Sequence, residues 1–318
     1  MASQCNFKTS NEMNFSNIPD SELTLWIDLA TKYLRLLGFF ISAAGVVLNI
    51  LSYQTVKFLG KYNSSVLLIR FLAIWDTLSI IVDGIFDLGG RFIGFHVVNV
   101  SSFVCKFFYF MNWATGFVAN FQLVILVFDR FLAIKIPIWY RSNPHISFAY
   151  ILSITSAAIN NIITIPILYI FDLENGVCTM VGDPEFFYWY LRCMTFIVYT
   201  FAPFSLILFF NGYFIKFLWF QKKSTQNSER SIQERNMVIM LATVSISFLI
   251  LTFNVALFCF IFFQIDPSTE VNASLSQLAY VVMQIPAILN SSLNFLFFYL
   301  SGKGYRCAFY KALSSYLE

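Results

Sequence analysis

The chain has 318 residues, of which 58% are hydrophobic and 12% charged, and its mean hydropathy is +0.70. Soluble domains carry about 25% charged residues, so too little polar surface is left to cover a water-exposed globule, which argues against a soluble enzyme, a disordered chain or a fibrous one. The net charge of +3 is too small to point to a polyanion partner, while the 39 Phe residues suit helices that face lipid.

Residues 1–32 are polar and hold no apolar core followed by a small-residue cleavage site. The sequence therefore predicts an extracellular tail without a signal peptide, with the first span itself starting insertion. A membrane-crossing helix needs about 20 apolar residues. No Asp, Glu, Lys or Arg lies between Arg35 and Lys57, Lys106 and Asp129, Arg141 and Asp172, Arg192 and Lys216, Arg235 and Asp266, or Glu270 and Lys303. A further stretch, Val66–Leu88, is equally apolar but contains Asp76 and Asp83. Including it lets the chain cross and return consistently, which gives seven spans over residues 33–300. Lys57, Lys61, Arg130, Lys135, Arg141, Lys222, Lys223 and Arg235 then gather on one side. That bias predicts the N-terminus outside and the C-terminus inside. In residues 301–318, Tyr305, Phe309 and Leu313 recur at helical spacing among Lys303, Arg306 and Lys311, the pattern of an amphipathic helix on the inner membrane surface. The predicted fold is an all-α seven-transmembrane helix bundle of one domain with a short amphipathic C-terminal helix.

Cys105 opens the third span and Cys178 lies in the loop between spans four and five. Both fall on the expected outer side, where a disulfide persists, and are predicted to bond. Cys307, on the surface helix, is open to palmitoylation. Asn-X-Ser/Thr triplets at Asn14, Asn99 and Asn272 fall outside and are predicted glycosylation acceptors.

An ionisable side chain within a span costs about 2.5–3.5 kcal/mol on insertion scales, so it usually faces the bundle interior and marks function. Asp76 and Asp83 are two α-helical turns apart and Asp87 follows one turn later, which puts all three on one face of span two. Asn49, Asn120, Asn290 and Asn294 supply further polar groups within spans. The deep carboxylate of Asp76 is suited to hold a sodium ion or a proton; a purely structural hydrogen-bond network is the alternative. Asp83 and Asp87 lie nearer the mouth and are predicted to face a ligand together with Trp113, Tyr280 and Gln284. No other cofactor is implied. His96 and His145 have no partner at metal-ligand spacing, and the chain carries no His-Glu-X-X-His, Gly-X-Ser-X-Gly or phosphate loop, so no enzyme is predicted. Asp129-Arg130 closes span three, and Glu234 at the start of span six is a second acid within reach of Arg130.

These residues resemble the motifs of rhodopsin-like G-protein-coupled receptors, over the chain from about Tyr33 to Leu313. Gly45-Val-Val-Leu-Asn49 resembles the span-one motif, and Leu72-Ala73-Ile74-Trp75-Asp76 resembles Leu-Ala-X-X-Asp. Asp129-Arg130-Phe131 is similar to Asp-Arg-Tyr, and Pro137-Ile138 falls where the family has a proline and an apolar G-protein contact. Pro203, Glu234 and Phe248 fall into register with spans five and six. The run Asn290-Ser291-Ser292-Leu293-Asn294-Phe295 resembles that of invertebrate FMRFamide and myosuppressin-type neuropeptide receptors. The chain departs from the family in having no Trp in span four, Thr252-Phe253-Asn254 where Cys-Trp-X-Pro would end, Ala119 in place of a Ser, and Phe298 in place of a Tyr.

The resemblance implies a plasma-membrane receptor that binds an extracellular peptide in the outer half of the bundle and activates a heterotrimeric G protein. Asp129, Arg130, Pro137, Ile138 and Glu234 would serve coupling and switching. Acids outnumber Lys and Arg on the expected outer side, which favours a cationic ligand; a peptide ending in Arg-Phe-amide would place its Arg at Asp83 and Asp87. Two rivals stand beside this reading: a secondary transporter with its site at Asp76, and a chemosensory or non-signalling seven-helix protein.

Overall fold

The computed structural model describes residues 20–59, 64–142, 145–181, 183–223, 229–262 and 269–317. Span one is a helix, Asp20–Thr55, that starts well ahead of its apolar stretch. Span two runs as an α-helix over Ser64–Ile80, a π-helix over Ile81–Gly89 and a last α turn at Gly90–Phe92. Span three is Ser102–Lys135, and a short helix, Pro137–Ser142, leads towards span four, His145–Thr164. Span five comprises Pro184–Cys193, a π segment over Met194–Phe201, and Ala202–Lys223. Span six is Glu229–Phe262. Span seven is a bent pair, Glu270–Ser292 and Asn294–Ser301, followed by the C-terminal helix Lys303–Leu317. Six of these helices are long and apolar enough to cross a membrane, and the bent pair makes the seventh.

Local chemistry sets several of these boundaries. Ser101 caps span three by accepting from the Val104 N–H at 3.2 Å, and Thr269 caps span seven by accepting from the Asn272 N–H at 3.2 Å, which satisfies backbone donors that a helix leaves open. Span seven bends by 44° after Ser292. The Ser292 hydroxyl donates to the Ile288 carbonyl one turn back, at 2.7 Å, a bond that tends to bend helices. Span six has no proline in this register and continues unbroken for 34 residues, since proline is the usual source of a sharp kink.

Small residues let spans one, two and seven approach closely, as they often do between membrane helices. A Cβ on Gly84 would collide with the Ser42 hydroxyl, and one on Gly45 with that of Ser292. Outward faces carry exposed Phe40, Val47, Ile151, Ile162, Phe209 and Ile250, which suits a hydrocarbon surround.

The main apolar core fills the half of the bundle near Arg130, with Leu68, Leu72, Leu126, Phe214, Phe248, Phe298 and Tyr305 all buried. The C-terminal helix packs there through Tyr305, Ala308 and Ala312, with Phe309 half-buried beside them, and leaves Leu313 exposed. The Tyr305 hydroxyl donates to Ser52 at 2.8 Å. Arg306 donates to the carbonyls of Tyr299 at 3.0 Å and Leu300 at 2.7 Å, capping the end of span seven.

At the opposite end, β1 (Phe171–Glu174) and β2 (Val177–Met180) form an antiparallel hairpin. Asn175 and Gly176 make its turn with φ of 51° and 79°, the positive pair that a tight two-residue hairpin demands. Cys178 on β2 is disulfide-bonded to Cys105 on span three, with Cα atoms 5.7 Å apart. Asp172 on β1 adds a second tie. It accepts from the Ser102 hydroxyl and pairs with the Lys106 ammonium at 2.9 Å, and these partners hold its carboxyl down at about 2.

Candidate functional site

A cavity of about 370 Å³ opens beneath the hairpin, between spans one, two, three, five, six and seven. One wall is aromatic. Tyr109 of span three stacks on Phe171 of the hairpin with ring centres 4.0 Å apart, and both line the cavity with Trp113 and Tyr199. The hairpin thus roofs the cavity because the disulfide and Asp172 both hold it to span three.

Asp83 lies on the wall formed by span two. It accepts from the Ser79 hydroxyl at 3.2 Å and from the amide of Asn112 on span three. Both donors are neutral, and among the described residues no Lys or Arg pairs with Asp83. Asp87 does not line this cavity. It is buried and accepts from Arg91 at 2.6 Å, from the Tyr280 hydroxyl at 3.1 Å and from the Gln284 amide at 3.0 Å. Of the two carboxylates expected to face a ligand, Asp83 thus reaches the cavity and Asp87 does not. Span two is a π-helix here. Asp83 meets span three, whereas Asp87 turns to span seven and is neutralised by Arg91. Trp113, Tyr280 and Gln284 do reach the cavity.

Most of the cavity lining was missed from sequence, including its polar residues Arg35, Arg91, Asn112 and Gln277. Arg35 sits at the edge of its apolar stretch and resembles an ordinary membrane anchor; nothing local reveals that it points across to Gln277, whose side chain accepts from it at 2.8 Å.

Deeper in the bundle, Asp76 is buried and accepts from the Asn294 amide at 2.7 Å. Asn49 donates to the Ser291 carbonyl at 3.0 Å, and Asn290 donates to Asn120 at 3.4 Å, which in turn donates to the Tyr199 carbonyl at 3.3 Å. The sequence-predicted polar residues of four spans thus find partners across helices, in separate sets of hydrogen bonds. The fit of the Asp76 site to a sodium ion is partial. A hard cation wants oxygen ligands, and Asp76 offers a carboxylate, but Asn294 turns its N–H to that carboxylate and Ala119 brings no oxygen.

At the far end of span three, Arg130 donates to Asp129 at 2.8 Å and to the Tyr140 hydroxyl at 3.3 Å. Tyr140 donates to Asp129 at 2.9 Å and contacts Ser64 at 2.6 Å, and Ser65 donates to Asp129 at 3.1 Å. Burial pushes the Tyr140 phenol above its ordinary value, so at neutral pH it stays a donor. Tyr140 was not among the sequence-predicted residues, because its role depends on how the short helix after span three folds back. Pro137 and Ile138 on that helix are exposed, Ile138 at 85%. Glu234 lies on span six, and its side chain falls outside the described residues, as does Asn14. Asn99 accepts from the Cys178 N–H at 2.9 Å, and Asn272 lies in the first turn of span seven.

No curated protein matches the chain. The family model of the seven-transmembrane receptors (rhodopsin family) matches residues 30–296. Together with the apolar helices, the disulfide-held hairpin and the Asp129-Arg130 pair, that match covers nearly all of the bundle: the chain belongs to the rhodopsin family of seven-transmembrane receptors, multi-pass membrane proteins that signal through G proteins and are not enzymes.

Proposed function

We propose that the chain is a plasma-membrane receptor for an extracellular cationic ligand, most simply an Arg-containing neuropeptide, with its N-terminus and the hairpin outside. The observation that carries this reading is Asp83, a cavity-lining carboxylate with only neutral partners among the described residues. A half-buried carboxylate without a cation is costly, and a guanidinium supplied from outside would meet it by charge-assisted hydrogen bonds. The cavity of about 370 Å³ falls within the ordinary range of ligand sites, about 300–1,000 Å³, and takes the tip of a peptide. Trp113 and Tyr199 on its walls would cover apolar side chains. Asp76 is proposed as the place where a proton or a sodium ion is held.

Ligand binding shifts the equilibrium only by its differential affinity for two states. We assign the Asp129, Arg130 and Tyr140 network to the resting state. Its opening, with displacement of span six and Glu234, would admit a heterotrimeric G protein, and exposed Pro137 and Ile138 would contact it. Family membership sets aside the transporter reading.

The test is a peptide screen read by nucleotide exchange on a G protein, followed by Asp83→Asn. Activation by an Arg-containing peptide should fall at least about tenfold, as for loss of a charged hydrogen bond, and by less for the citrulline analogue. Equal losses for both peptides at normal surface expression would remove Asp83 from recognition.

A further inference from the structure

The same cavity also has a basic stretch of wall. Arg35 of span one and Arg91 at the end of span two both line it. One carboxylate, Asp87, serves both, and it spends its direct ion pair on Arg91 at 2.6 Å. The hydrogen-bond partner of Arg35 is the neutral Gln277. Its Nε–H is buried and meets no acceptor among the described residues. Asp28, two turns back on span one, is exposed and acts on Arg35 only at a distance. Two guanidinium charges against one carboxylate leave a surplus of a single positive charge on this wall. Arginine sits in such a place at a cost unless an anion completes it.

We propose that Arg35, with Arg91 behind it, forms an anion subsite that takes a carboxylate of the ligand. The ligand is then zwitterionic: its cationic group lies at Asp83 and its carboxylate at Arg35. The planar fork of Arg35, which lines the cavity, suits the two oxygens of a carboxylate, and the single surplus charge suits a monoanion better than a phosphate dianion. A peptide that binds here ends in a free carboxylate, not an amide. This inference rests on the reading of the cavity as the ligand site, and it replaces the Arg-Phe-amide expected from sequence with an Arg-Phe acid.

The experiment uses the purified full chain in detergent and reads its thermal unfolding midpoint with two probes, the dipeptide Arg-Phe with a free carboxylate and Arg-Phe-amide. The acid should stabilise at concentrations at least about tenfold lower than the amide, the loss expected for a charged hydrogen-bond pair. Arg35→Gln should bring the two probes together, and Arg35→Lys, which keeps the charge without the fork, should restore part of the preference. Asp83→Asn should weaken both probes and leave the preference intact. If it weakens neither while the acid is still preferred, the cationic pole fails and the anion subsite stands. Equal action of acid and amide on the unaltered chain, including no effect of either, overturns the proposal, as does a preference that survives Arg35→Gln.

Discussion

The two ends of the bundle treat charge in opposite ways. Near Arg130 the polar groups are closed on themselves: Asp129 receives Arg130, Tyr140 and Ser65, and the continuous apolar core surrounds them. Near the hairpin the buried apolar residues split into two small clusters, Ile167, Ile170, Tyr190 and Leu191 on one side and Leu88, Val281 and Ile288 on the other. Between them lies the cavity, where Asp83 has only neutral partners and Arg35 an unused donor. A buried polar network with every partner supplied by the chain rigidifies one state. A network short of partners is complete only when something from outside supplies them. The first arrangement suits a latch and the second suits recognition.

The largest effect should come from cutting the covalent tie of the open end. The disulfide joins residues 73 apart, and a loop of that size contributes about 4 kcal/mol in the chain-entropy description. Cys105→Ser or Cys178→Ser should therefore remove most surface expression and ligand response, and a non-reduced digest of the unaltered chain should contain the linked peptides. Normal expression of either variant would mean that the hairpin holds its place without the bond.

Next in size is the latch. Asp129→Asn leaves the Arg130 guanidinium with neutral partners only among the described residues, and breaking a buried pair costs about 3–5 kcal/mol. Ligand-free nucleotide exchange should rise several-fold at equal expression. Tyr140→Phe should act in the same direction by about 1 kcal/mol, the worth of a hydrogen bond. Glu234→Ala should also raise basal exchange if span six joins the latch; a flat response would mean that Asp129 and Tyr140 suffice.

A third substitution separates the two acids of span two. Asp87→Asn leaves Arg91 without its ion pair and should lower the unfolding midpoint, with the responses to an Arg-containing peptide and its citrulline analogue falling by the same factor. Asp83→Asn should instead discriminate between those peptides. If Asp87→Asn discriminates as well, the two carboxylates act together despite their different partners.

The smallest effect is the acid dependence of the hairpin tie. The Asp172 carboxyl is held at about 2, below the ordinary value of about 3.9. A depressed carboxyl adds stability that is complete above its unfolded value and is lost as pH falls through the folded one. The tie should therefore be constant above about pH 4 and fade between there and about pH 2, as read by hydrogen exchange at the Leu173 amide. Asp172→Asn should abolish that dependence.

Composition and spacing determine much of this receptor. The uncharged stretches mark the spans because a bilayer core tolerates few charges, the position of Cys105 and Cys178 predicts their bond, and Asp76, Asn49 and Asn294 are legible as core groups because polar side chains within spans turn inward. The Asn175-Gly176 turn was also present in the residues as a hairpin signal. Partner choice was not. Spacing of one helical turn places Asp83 and Asp87 on one face, but Asp83 meets span three and Asp87 meets span seven. Arg35 and Gln277 lie far apart in sequence, as do Ser64 and Tyr140, and each pair meets only when spans one and seven, or two and the helix after three, pack together. Tertiary structure alone decided which charges are paired and which are left for a ligand, because that depends on distances of a few ångströms between helices and not on the order of residues within one.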